Sequence, residues 1–136
     1  MIWDVHTHLS GVPGGTPEER LTRLIEFADR MGIERLCVSM GMKRSYDPSP
    51  DDLRQQNDEV LRAVMRWPER AFGFVYLSPN HVETSLAELD RCVRDGPMVG
   101  VKLWVARHCN EPELKHGAVR PRPGWEPPSA CAGRTR

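Results

Sequence analysis

The chain has 136 residues, enough for one domain with a buried core but short of the about 250 that a closed eight-stranded α/β barrel usually takes. Its 19 basic and 19 acidic side chains cancel, so neither nucleic acid nor an anionic membrane is an expected partner and small-molecule chemistry is the default. No run approaches the about 18 uninterrupted apolar residues of a membrane span, and the opening Met-Ile-Trp-Asp has no secretory n- or h-region.

Residues 1–9 form an apolar run that reads as a first strand. Alternate side chains of a strand share a face, so His6 and His8 are expected to point one way, with Trp3 and Val5 pointing the other. Two imidazoles projecting together offer half of a tetrahedral zinc shell; the plainer alternative is a histidine pair bonded to backbone or water. Ser10, Gly11, Pro13, Gly14 and Gly15 follow as a loop, which places the pair at the carboxyl end of the strand. In barrels of alternating strands and helices that end carries the active site. Asp4 is read either as an acceptor for an imidazole N–H or as a polar residue near the chain start.

Thr16-Pro17-Glu18-Glu19 has the marks of a helix start, and Leu21, Leu24, Ile25, Ala28 and Met31 recur at helical spacing until Gly32. A short strand is expected over residues 33–40. A polar loop leads to Asp51-Asp52, after which Leu53, Val60, Leu61, Val64, Met65 and Trp67 mark a second helix ended by Pro68. Residues 71–77 read as the third strand, about 82–94 as the third helix, and 98–105 as the fourth strand. Single helices between strands imply parallel β-α-β units with right-handed crossovers. Glu111-Pro112-Glu113-Leu114 resembles the start of a fourth helix.

From about His116 the composition changes: residues 116–136 contain no Leu, Ile, Phe or Met and are rich in proline. Such a segment cannot bury enough apolar surface to offset the entropy of ordering, so disorder is expected. It reads either as a flexible Pro-Arg interaction tail or as an out-of-frame peptide. The second is favoured because the change falls inside a helix start rather than at an element boundary. Two units follow, a barrel half over 1–115 and a tail over 116–136. Cys37, Cys92, Cys109 and Cys131 show no C-x-x-C spacing, which fits reduced thiols in a cytoplasmic protein better than a disulfide framework.

With the strand-end His6-Thr7-His8, residues 68–79 (PERAFGFVYLSP) and residues 99–104 (VGVKLW), the chain resembles the amidohydrolase superfamily, in its amidohydrolase 2 branch of metal-dependent TIM-barrel enzymes. Coverage runs from Ile2 to about Leu114, so the resemblance is to the first half of a (β/α)8 barrel: about four parallel strands with outer helices. It implies a divalent metal, often zinc, bound in part by His6 and His8. The further ligands and the general base expected on the fifth, sixth and eighth strands have no counterpart here.

The same resemblance implies a hydrolase attacking an amide, ester or lactone with metal-activated water. The alternatives are a nonoxidative decarboxylase of carboxylic acids from the same branch, or an inactive remnant. Lys102 shares a strand face with Gly100 and Trp104. The resemblance implies, as one role, a carboxylated, metal-bridging lysine there; the residue itself reads as a substrate contact at the barrel mouth or as a lysine bonded to a carboxylate. Trp104 and His108 complete the candidate pocket, whereas Cys109 reads as a small buried or rim residue and His81 as an exposed residue near a helix start. An open sheet would present unpaired backbone on strands one and four, so self-association through those edges is a further expectation.

Overall fold

The computed structural model describes residues 1–41 and 47–103. In chain order these form β1 (Trp3–His8), α1 (Pro17–Arg30), β2 (Arg35–Ser39), α2 (Pro50–Met65), β3 (Ala71–Leu77), α3 (Val82–Leu89) with a π-helical turn over Asp90–Arg94, and β4 (Gly100–Leu103). The strands lie in the order β1-β2-β3-β4 and every neighbouring pair is parallel. The result is half of a TIM barrel, with its helices on one face. Trp104, His108, Cys109, His116 and the expected tail lie outside the described residues.

The helices form where local chemistry closes their ends. The Thr16 hydroxyl accepts the Glu19 N–H at 3.2 Å, and Glu18 and Glu19 complement the positive end of α1. Gly32, with φ of 70°, ends that helix: its N–H reaches the Asp29 carbonyl and the Ile33 N–H reaches that of Ala28. This is a Schellman closure, and its left-handed residue favours glycine. For α2 the N-cap is Ser49, in a reciprocal capping box with Asp52. The helix therefore starts at Pro50, one residue before the expected aspartates.

The core lies between the sheet and the helices. Leu36 and Val38 of β2 and Ala71, Val75 and Leu77 of β3 meet Leu21, Ile25 and Ala28 of α1 and Val60, Ala63 and Val64 of α2. Leu21 and Val60 are essentially fully buried, and each such side chain contributes about 1.5–3 kcal/mol by leaving water. Val101 and Leu103 of β4 pair with Val75 and Leu77 yet remain 43% and 42% exposed, so the outer face of β4 is not fully covered by any described helix.

One expectation about facing is corrected. In β1 the register shifts between Asp4 and Thr7: Trp3 pairs with Arg35 and His8 with Ser39, which share a face of β2. Trp3 therefore points to the same side as the histidines, and it stacks on Phe72 with ring centroids 5.1 Å apart. The Arg35 guanidinium lies over both rings, 4.9 Å and 5.8 Å from their centroids. A bulge adds one residue to a strand and so breaks strict alternation. The Asp4 carboxylate accepts the N–H of His6 within that irregularity at 2.9 Å.

A buried polar network ties α3 to α2 and β3. Glu88, 1% exposed, accepts from Arg91 at 2.8 and 2.6 Å and from Asn57 at 2.9 Å. Burial works to raise its pKa, but the Arg91 and Asn57 hydrogen bonds and the charges of Arg91 and Arg54 outweigh it and hold the carboxyl below its usual range. Folding therefore favours the ionised form. Its contribution is present above the ordinary value of 4.5 and is lost as pH falls through the lower folded value. Urea midpoints measured between neutral and acidic pH should fall less steeply in Glu88→Gln than in the parent; equal slopes would contradict this sign.

The third helical span ends at Arg94, as its pattern predicts, but its last turn widens, with the Asp95 N–H reaching the Asp90 carbonyl, while the Met98 N–H takes the Cys92 carbonyl. Gly96 permits this closure, since a Cβ there would lie 2.6 Å from the Arg91 carbonyl oxygen.

Candidate active site

The concave face of the sheet has two different ends. Trp3, Arg35 and Phe72 fill the end where the strands begin. At the carboxyl end, His6 and His8 stand on β1 with their Nε2 atoms 2.9 Å apart. Lys102 of β4 reaches across, its Nζ 3.4 Å from His6 Nε2. A flat sheet would hold β1 and β4 roughly 14 Å apart, so this contact reports a strongly curled sheet.

His8 is the better anchored of the two histidines. Its Nδ1 lies 3.0 Å from the hydroxyl of Ser39, its partner across the β1–β2 ladder. Burial lowers its pKa, and the charges of His6 and Lys102 lower it further against an opposing effect of Asp4. Gly41, with φ of 77°, closes the other side: a Cβ there would lie 2.5 Å from the Ser10 hydroxyl oxygen and 2.8 Å from the His8 ring. Glycine thus answers both a left-handed backbone and a close approach.

Two imidazole nitrogens 2.9 Å apart can both lie about 2.0–2.1 Å from one zinc ion, so the pair fits a divalent metal. Among the described residues no group of three or more His, Cys, Asp or Glu side chains could hold an ion. Asp4 binds the backbone of His6 rather than an imidazole N–H. His81 stands at the N-cap of α3, 4.0 Å from Asp47, and is half-buried rather than exposed. Cys37 and Cys92 are buried free thiols; burial pushes both up, Cys92 to about 11.

Ser39 and Gly41 carry no motif and were not singled out from the sequence. The only signal for Ser39 was its parity with Cys37 at the end of a strand beside the histidine strand. For Gly41 it was a glycine directly after that strand.

The amidohydrolase family model matches residues 3–132. The chain belongs to this amidohydrolase family. Among solved structures it is similar to a 2,6-dihydroxybenzoate decarboxylase complexed with 2,6-dihydroxybenzoate, at 27% identity and a TM-score of 0.50, covering 59% of this chain and 26% of that one. It is also similar to a 2,6-dihydroxybenzoate decarboxylase from Rhizobium, at 21% identity and a TM-score of 0.54, covering 74% of this chain and 36% of that one. The chain thus spans about a quarter to a third of the length of these structures. No curated protein matches it.

Proposed function

We propose that this member of the amidohydrolase family supplies the first-strand metal ligands and a carboxylate-binding lysine to a metal-dependent nonoxidative decarboxylase. The observation that carries the reading is the convergence of His6, His8 and Lys102 at the carboxyl end of the sheet. His6 and His8 are the residues that would hold the ion, with zinc the ion their nitrogen donors suit; when bound it supplies Lewis-acid polarisation of substrate oxygens. The Lys102 ammonium beside them suits an anionic carboxylate, because a charge-assisted hydrogen bond there would orient the acid against the pair. In the reaction the bond between the carboxylate and its carbon breaks, carbon dioxide leaves, and a proton takes its place. Lys102 orients the group that departs.

The 27% identical neighbour favours decarboxylation over the second reading, hydrolysis of an amide, ester or lactone by metal-activated water. That second reading uses the same two histidines. To separate them, residues 1–103 would be joined to the later strands of that solved decarboxylase, loaded with Zn2+ or Mn2+, and assayed against hydroxybenzoic acids, esters and lactones. Carbon dioxide release that falls on Lys102→Met supports the proposal. A folded, metal-loaded hybrid that hydrolyses esters or lactones without releasing carbon dioxide would overturn it in favour of the hydrolase.

A further inference from the structure

Ser39 is 5% exposed and stands on β2 directly across from His8, with its Oγ 3.0 Å from His8 Nδ1. That contact joins two neighbouring strands through side chains on the concave face. It bears on which nitrogen of His8 is free. A neutral imidazole carries one N–H and one lone pair, and the partner of one nitrogen sets the state of the other.

A ring nitrogen aimed at a cation keeps its lone pair, so a neutral His8 that offers Nε2 carries its proton on Nδ1, where the Ser39 hydroxyl oxygen can accept it. In the other tautomer the hydroxyl donates to the Nδ1 lone pair. A hydroxyl serves both cases, whereas a carboxylate accepts only.

We infer that Ser39 is the positioning residue for His8, holding its ring through Nδ1 in either tautomer so that Nε2 stays aimed beside His6 Nε2 at a divalent cation. The inference rests on the metal-binding reading of the histidine pair. Ser39 does not touch the metal or substrate; it acts through His8. Outer partners of histidine ligands characteristically change metal affinity by about 10–100-fold when removed.

The test uses the 136-residue chain with Ser39→Ala, Ser39→Thr and Ser39→Cys, titrated with Co2+, together with long-range 1H–15N spectra of the imidazoles without metal. Ser39→Ala should weaken Co2+ binding about 10–100-fold and shift the His8 nitrogen resonances, Ser39→Thr should restore both, and Ser39→Cys should fall between. If Ser39→Ala fails to fold, Ser39→Cys decides, since it keeps the shape while weakening the hydrogen bond. Parent-like Co2+ affinity with unchanged His8 nitrogen shifts in the folded Ala or Cys variant would overturn the role of Ser39. A parent chain that binds no Co2+ would instead overturn the metal reading and the inference with it, an outcome distinct from the first because it appears before any substitution.

Discussion

Asn57→Ala is expected to destabilise the chain by about 3–5 kcal/mol. Asn57 is fully buried on α2 and makes three hydrogen bonds with two other elements. Its Oδ1 accepts the Tyr76 N–H at 2.8 Å, and its Nδ2 donates to the Tyr76 carbonyl at 3.1 Å and to Glu88 at 2.9 Å. The β2–β3 ladder ends at the pair of Val38 with Gly73, so Tyr76 lies beyond its last rung and the amide takes over the pairing there. Removing it withdraws a partner from each of three groups, at about 1–3 kcal/mol per buried group left unsatisfied. A domain of this size has only about 5–15 kcal/mol in total. Asn57→Asp should be at least as damaging near neutral pH, because it removes both donors and sets a second carboxylate against Glu88. Urea unfolding with unchanged slope reads the effect. A loss below about 1 kcal/mol would mean that water replaces the amide and that the layer between α2 and α3 is open.

The network shows why part of this protein is readable from its sequence and part is not. Alternating strand and helix signals depend on periodicity and end chemistry within ten or so residues, which is why β3 was expected over the residues it occupies and α1 at Thr16-Pro17. The side on which Trp3 lies depends on a register shift against β2, a nonlocal event that local alternation cannot report. The widened turn at the end of α3 belongs to the same kind, since it is completed by Gly96 and Met98 from beyond the helix. In the site, His6 and His8 were visible because both imidazoles sit on one strand. The 3.4 Å contact of Lys102 with His6 joins the first and fourth strands, 96 residues apart, and depends on the curl of the sheet rather than on any local pattern. Ser39 had no signature, because a serine at a strand end is commonplace until the neighbouring strand brings a histidine to it. Trp104 and His108 fall outside the described residues, so the rest of the expected pocket wall stays a sequence expectation.

Replacing His6 and His8 together with alanine is expected to reduce the affinity of the chain for Zn2+ or Co2+ by more than about 100-fold, beyond the upper end of what loss of an outer partner costs. The parent site should itself be weak, because two nitrogens fill half of a tetrahedral zinc shell and tight structural binding depends on a complete set. Each single variant should already lose most of the affinity, since one imidazole on a strand end offers no chelate, and the double variant should add little to either. The fold should survive. Both rings stand on the concave face, whereas the core residues next in sequence, Leu9 and its neighbours in the helix-packed layer, keep their contacts. Titration monitored by calorimetry or by the visible spectrum of Co2+, with far-ultraviolet dichroism to confirm the fold, gives the result. Binding that persists unchanged in a folded double variant would place the ion on other donors. The buried Cys37 thiol on the same face would be the first of these to test, and the amidohydrolase-type assignment of the histidine pair would then be withdrawn.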